Sequence, residues 1–174
     1  MNDQSKTSWK IDNGHSSVGF RIRHMAIANV SGAFLDFEGQ VSCAAPESFE
    51  GAAVDFEIRV DSLTTNHSER DTHLRSELFF DTVQYPVIRF KGILRGDQLS
   101  GDLTIRDVTR AVVLDANLMG SGQGRFGEMR AGFELNGKIN RKDFGLTWSM
   151  LTEAGSLIVG EEVKLDMNIE LIRS

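Results

Sequence analysis

Apolar and polar side chains alternate with a period of two along most of the chain, and this period is typical of β-strands that bury one face. Long alternating runs cover residues 18–24, 33–41, 52–60, 88–94, 99–105, 112–118, 131–139 and 163–171, and a short one covers residues 9–12. Both prolines, Pro46 and Pro86, fall between runs, where a missing N–H breaks no ladder. The chain is therefore predicted to be almost entirely β.

Because each run has one apolar and one polar face, an antiparallel sheet is favoured over a parallel one. A closed barrel and a sandwich are the two economical ways to bury so many strands. Several runs extend to about nine or ten residues, roughly 30 Å, which is long for a sandwich. We predict an all-β chain with a short helix, folded as one antiparallel barrel of about eight strands.

One stretch, residues 66–81, is predicted to be a helix. Asn66 can cap its first turn, and Leu74 and Leu78 lie one turn apart on one face. Phe79 and Phe80 end the stretch. The helix falls between the fourth and fifth strands counted along the chain, so we expect it to pack at the barrel end and close or line the mouth.

Composition narrows the classes of function. The 174 residues suit one domain, which we place at residues 9–174 after a disordered lead at residues 1–8. A net charge of −6 argues against nucleic acid as a partner. Cys43 is the only cysteine, so an internal disulfide and any multi-cysteine metal site are excluded. The sequence shows no transmembrane segment and no signal peptide, which favours a cytoplasmic location, or a periplasmic one if an export signal has been trimmed.

The sequence offers few candidates for catalytic or metal-binding residues. His67 and Asp71 could share a helix face, but His73 is turned away from His67, so no metal site is predicted. Asp143-Phe144-Gly145 has none of the accompanying kinase motifs, and no serine lies in a nucleophile elbow. No catalytic residue and no cofactor are predicted. His24 differs from the other histidines because it ends an inward-facing run and could meet a polar headgroup at the barrel mouth.

A barrel of about eight strands is either filled by side chains or holds one ligand. Gly39, Gly92, Gly101 and Gly137 all fall on the apolar faces of their strands. Each could leave room for a ligand, or could mark a bend where a closed barrel must coil. The sequence leaves both interpretations open.

Several motifs, in one order and over nearly the whole length, resemble the YceI-like family of lipid-binding proteins. The matching segments are WKIDNGHSSVGFRIRHM from Trp9, GAFLDFEG from Gly32, RDTHLRSELFFD from Arg70, YPVIRF from Tyr85, GDLTI from Gly101, INRKDFGLTW from Ile139 and VGEEVKL from Val159. The resemblance implies a lipocalin-like barrel whose elongated apolar pore holds a polyisoprenoid or similar long-chain lipid, without established catalysis. Asp107 and Ala111 depart from the glycine and proline usual in the family.

The leading hypothesis is a protein that binds a long-chain apolar lipid for transport, storage or sequestration and is not an enzyme. The lipid would be a polyisoprenoid, an isoprenoid quinone or a fatty-acid derivative, selected more by chain length than by headgroup. Alternatives are an enzyme acting on a bound lipid or small molecule through His24, and a filled barrel that acts through its surface and could form a homodimer. The residues predicted to contact the lipid are Phe20, Ile22, His24, Phe56, Ile58, Leu74, Leu78, Phe79, Phe90, Leu103, Phe133, Trp148, Leu165 and Met167.

Overall fold

A computed structural model describes residues 6–149 and 159–174. These described residues contain one α-helix, α1 (Ser68–Arg75), and three short 3₁₀ turns. The strands are β1 (Thr7–Ile11), β2 (Ser17–His24), β3 (Ala28–Phe34), β4 (Phe37–Cys43), β5 (Ala53–Arg59), β6 (Leu63–Thr64), β7 (Val87–Arg95), β8 (Gln98–Ile105), β9 (Val108–Gln123), β10 (Met129–Asn140) and β11 (Val159–Arg173). No helix in the described part of the chain has the length and apolar character that crossing a membrane requires.

These segments form an eight-stranded antiparallel barrel, as the alternation predicts. Three barrel strands are each made of two segments in line, namely β1 with β2, β3 with β4, and β5 with β6. The other five, β7 to β11, follow in sequence order, each paired with the one before it. The sheet closes because β11 pairs with both β1 and β2.

This up-and-down order places the connections at two ends. The β2–β3, β6–β7, β8–β9 and β10–β11 connections lie at one end, which we call the helix end because α1 belongs to the β6–β7 connection. The β4–β5, β7–β8 and β9–β10 connections lie at the other, which we call the loop end. Asp107, which replaces the glycine usual in the family, lies in the β8–β9 turn at the helix end. The turn keeps its pairing, since Ile105 and Val108 are still partners across it.

The inward parity changes where β3 passes into β4. Phe34 is buried and Leu35 is exposed, although the alternation predicts Leu35 on the apolar face. The Ser62 hydroxyl accepts hydrogen bonds from the backbone N–H groups of Leu35 and Asp36 at 3.1 and 3.0 Å, which holds the chain in a kink. The kink turns even-numbered residues inward before it and odd-numbered residues inward after it.

The predicted helix of residues 66–81 is wrong at both ends. His67, not Asn66, is the N-cap, and its ring Nδ1 accepts the Arg70 N–H at 3.2 Å. Asn66 instead adopts a φ of 60°, a left-handed conformation that asparagine tolerates. The helix ends at Arg75, because the Ser76 hydroxyl and N–H both bond to the His73 carbonyl and the chain then runs through turns.

A test of the barrel wall follows from Gly101, which pairs with Gly92 across β7 and β8. A Cβ at Gly101 would overlap the Lys91 carbonyl and lie 2.5 Å from the Gly92 Cα. Gly101→Ala should therefore cost about 1–3 kcal/mol in the free energy of unfolding, measured by urea denaturation. Gly132→Ala is the control, since a Cβ there meets nothing within 4 Å. Equal stabilities of the two variants would contradict this packing.

Candidate functional site: an apolar cavity in the barrel

The barrel encloses a cavity of about 400 Å³, within the usual size range of small-molecule pockets. Its wall takes side chains from every barrel strand, from α1 and from the segment that follows β10. Most of these side chains are aliphatic or aromatic, so the cavity favours an apolar guest. The barrel is therefore not filled by its own side chains.

The structure brings nearly all the residues predicted for lipid contact to this wall. They are Phe20, Ile22, His24, Phe56, Ile58, Leu74, Phe79, Phe90, Leu103, Phe133, Trp148, Leu165 and Met167. Those on strands lie there because the period-two alternation identifies one face of each strand, and on the strands that carry these residues that face turns inward.

Leu78 is the exception, and its predicted place at the cap is wrong. It is 55% exposed and does not line the cavity. The predicted Leu74–Leu78 face requires helix through residue 78, but α1 ends at Arg75. The turns that follow bury Phe79 and leave Leu78 outside.

The inward glycines make room for wall side chains. A Cβ at Gly39 would lie 2.8 Å from the Phe56 ring, and one at Gly92 would lie 2.7 Å from the Phe90 ring. A Cβ at Gly137 would overlap Leu114. These glycines let large side chains lie flat against the wall, which keeps the centre of the barrel open.

Phe49, in the β4–β5 connection, lines the cavity at the loop end. Its ring centroid lies 5.1 Å from that of Trp9 and 5.0 Å from that of Phe133, in an edge-to-face arrangement with the latter. Such aromatic pairs stabilise each other beyond their buried area. The alternation missed Phe49 because it lies outside every strand, although a large aromatic residue in a loop is itself a sign of burial.

At the helix end, three aromatic rings pack together on the cavity wall. The His73 ring stands perpendicular to those of Trp148 and Phe79, with centroids 4.6 and 5.5 Å away. Phe79 and Trp148 are 5.6 Å apart. This cluster joins α1 to the segment after β10, so the predicted role of Phe79 and Trp148 at the cap agrees with their positions.

Arg141, directly after β10, is 2% exposed and lines the cavity. Its guanidinium donates to the carbonyls of Leu146, Trp148, Gly160 and Val159, and to the Ser149 hydroxyl, at 2.5 to 3.4 Å. Burial lowers the pKa of Arg141 from its usual value. Sequence reasoning did not single out Arg141, although it continues the inward parity of Phe133, Leu135 and Ile139.

Arg70 also lines the cavity, because α1 turns it inward. Its Nε and Nη2 donate to the Thr65 hydroxyl and carbonyl at 2.7 and 2.9 Å. Thr65 in turn donates its N–H and O–H to the buried carboxylate of Asp71 at 2.9 and 2.5 Å. The hydrogen bonds of Asp71 and of the His67 ring therefore stabilise the start of α1.

A separate cluster lies on the barrel seam. Asp12, His15 and Glu170 each offer one atom of the kind that binds metal ions, and these atoms lie within 4.8 Å of one another. Arg130 donates to Asp12 at 2.8 Å and to Glu170 at 2.7 Å, and pairs with Glu128 at 2.7 Å. The guanidinium therefore balances these carboxylates, and the cluster fastens β10 to β11 and to the residue that follows β1.

The hydrogen bond from Arg130, and then that from His15, lowers the pKa of Asp12 below its usual value. A carboxylate with a lowered folded-state pKa stabilises the fold above its unfolded pKa and loses this effect as pH falls through the folded value. We expect Arg130→Gln to lower the thermal midpoint at pH 7, and the difference from wild type to shrink below about pH 4. Arg110→Gln, an exposed arginine on β9, is the control. A difference independent of pH would contradict this assignment.

Comparison with known proteins agrees with the architecture. The model of the YceI-like domain matches residues 9–171. The UPF0312 protein plu2095 of Photorhabdus laumondii is 42% identical over 144 residues, covering 79% of this chain and 74% of that protein.

Two solved structures share the fold. The Campylobacter jejuni YCEI protein is 32% identical with a TM-score of 0.72, covering 94% of this chain and 96% of that one. A domain of Saccharophagus degradans described as polyisoprenoid binding is 16% identical with a TM-score of 0.73, covering 95% and 98%, and at that identity shows the fold alone. From the matched length and the relatives' identities, the chain belongs to the YceI-like domain family.

Proposed function

We propose that the chain binds a long-chain apolar lipid inside the barrel and carries or sequesters it without chemical change. The observation that supports this most is the cavity of about 400 Å³, lined by Phe49 at the loop end and by Phe79 and Trp148 at the helix end. A filled barrel acting through its surface would have no such space.

The shape of the cavity favours a chain over a compact ligand. Lining positions on β10 run from Phe133 to Ile139, and six residue steps correspond to roughly 20 Å of strand. A guest that contacts both ends must therefore be elongated. Polyisoprenoids, isoprenoid quinones and fatty-acid derivatives have this form.

The energetics also favour a long chain. Each buried CH₂ contributes about 0.8 kcal/mol, so affinity should grow with chain length until the cavity is full. The solved domain of Saccharophagus degradans, which has the same fold, is described as polyisoprenoid binding, and this supports the proposed class of ligand.

The proposal is tested with geraniol, farnesol and geranylgeraniol, three alcohols that differ by one isoprene unit each. The protein is first freed of copurified lipid, and each alcohol then competes with the neutral fluorescent probe N-phenyl-1-naphthylamine. We expect affinity to rise at least about tenfold with each added unit. Failure of all three to displace the probe, or affinities independent of length, would contradict lipid binding in the cavity.

A further inference from the structure

The ionisable side chains on the cavity wall are all of basic residue types. They are Arg23, His24, Arg70, His73 and Arg141, and among the described residues no aspartate or glutamate joins them. All five belong to the helix end, where β2 ends, α1 lies and β10 has just finished. The wall toward Phe49 at the loop end is apolar. The cavity is thus asymmetric, because its helix end is basic and its loop end is apolar.

Among the described residues, the Arg141 guanidinium is hydrogen-bonded to neutral groups. Its described acceptors are four backbone carbonyls and the Ser149 hydroxyl. The nearby carboxylate of Glu161 pairs with Lys142 at 2.9 Å. A buried cation with neutral partners creates a positive potential that is weakly screened in a low-dielectric interior.

Arg70 offers the ligand a donor. The Nε and Nη2 of Arg70 donate to the Thr65 hydroxyl and carbonyl, and the described residues provide no acceptor for its Nη1. The acids on α1, Glu69 and Asp71, are not on the cavity wall, and the Asp71 Oδ1 is bonded to Thr65. A guanidinium with an uncommitted N–H at the edge of an apolar cavity is suited to an anionic oxygen.

We propose that the ligand is an amphiphile with one anionic headgroup, a carboxylate or a phosphate, held at the helix end with its chain directed toward Phe49. The inference rests on the proposed function and adds headgroup selection to it. It also revises the expectation that chain length matters more than headgroup. A neutral alcohol of the same chain keeps the apolar contacts but forgoes the charge-assisted hydrogen bond to Arg70.

The test compares two matched pairs in the same competition with N-phenyl-1-naphthylamine, at low salt and below the aggregation concentration of each lipid. One pair is geranylgeranyl phosphate and geranylgeraniol, and the other is hexadecanoate and hexadecanol. We expect at least one anion to bind about tenfold or more tightly than its alcohol. The pair that shows the preference identifies phosphate or carboxylate as the headgroup.

Two arginine variants locate the effect. Arg70→Gln should lower affinity for the anion several-fold more than affinity for the alcohol, and the alcohol binding that it keeps shows that the variant is folded. Arg89→Gln removes the same charge from the outer face of β7, where the side chain is 62% exposed, and should keep the preference. Equal affinity of each anion and its alcohol, or an equal loss for both ligands in Arg70→Gln, would overturn the inference while leaving lipid binding intact. If no ligand of either pair binds, the proposed function itself fails.

Discussion

Replacing Arg141 with alanine is expected to lower the free energy of unfolding by at least about 3 kcal/mol. The substitution leaves the carbonyls of Leu146, Trp148 and Gly160, which now accept at 2.5 to 2.8 Å, without their donor in a buried setting. Because these carbonyls lie in two stretches on either side of residues 150–158, both stretches lose their common anchor. Urea denaturation measures the change.

Two further variants separate geometry from charge. Arg141→Lys keeps the charge but supplies three donors in place of five, so its stability should fall between wild type and Arg141→Ala. Arg110→Ala is the control, since Arg110 is exposed and its only described hydrogen bond is to the neighbouring Thr109 carbonyl. A loss below about 1 kcal/mol in Arg141→Ala would show that water replaces the guanidinium and that the anchor is dispensable.

Filling the cavity should abolish most lipid binding. Val112 lines the cavity and Val113, the next residue on β9, is 54% exposed on the outer face. We expect Val112→Trp to weaken binding of geranylgeraniol by at least tenfold, because the indole occupies the space of the chain. Val113→Trp should bind as wild type does.

The same pair of variants distinguishes an empty barrel from a packed one. If space is available, Val112→Trp should remain folded with little loss of stability. In a close-packed core, such overpacking typically costs about 1–3 kcal/mol. Loss of stability in Val112→Trp together with unchanged lipid binding would show that the lipid binds elsewhere.

The barrel was predictable because strand alternation is a local property. One apolar face per strand determines which side chains turn inward, and Phe20, Phe133 and Leu165 follow this rule. Residues 120–127 are rich in glycine and lie outside the alternating runs, yet β9 continues to Gln123. Glycine weakens a strand without forbidding it, and pairing with β10 carries the ladder through Gly120 and Gly122.

The end of α1 was not predictable from local preferences. Glu77 and Leu78 are good helix formers, so the sequence alone extends the helix. Packing of Phe79 against Trp148 and His73 draws the chain out of the helix instead. Trp148 is 69 positions away in sequence, and such contacts override local propensity.

The basic helix end of the cavity was only partly visible in the sequence. His24 was found because it ends an alternating run, and Arg141 could have been found in the same way from the parity of β10. Arg70 and His73 could not, because their orientation depends on how α1 packs onto the barrel. For these two residues the three-dimensional structure is needed.

The central claim is that this barrel holds a long-chain lipid, and the mass of the folded protein tests it most directly. The purified full chain is measured by mass spectrometry under native and denaturing conditions, and an organic-solvent extract is analysed alongside. We predict that the native mass exceeds the chain mass by one lipid, which is recovered in the extract as a long apolar chain. A native mass equal to that of the chain alone, in a folded protein that also takes up no long-chain lipid in vitro, would contradict the claim.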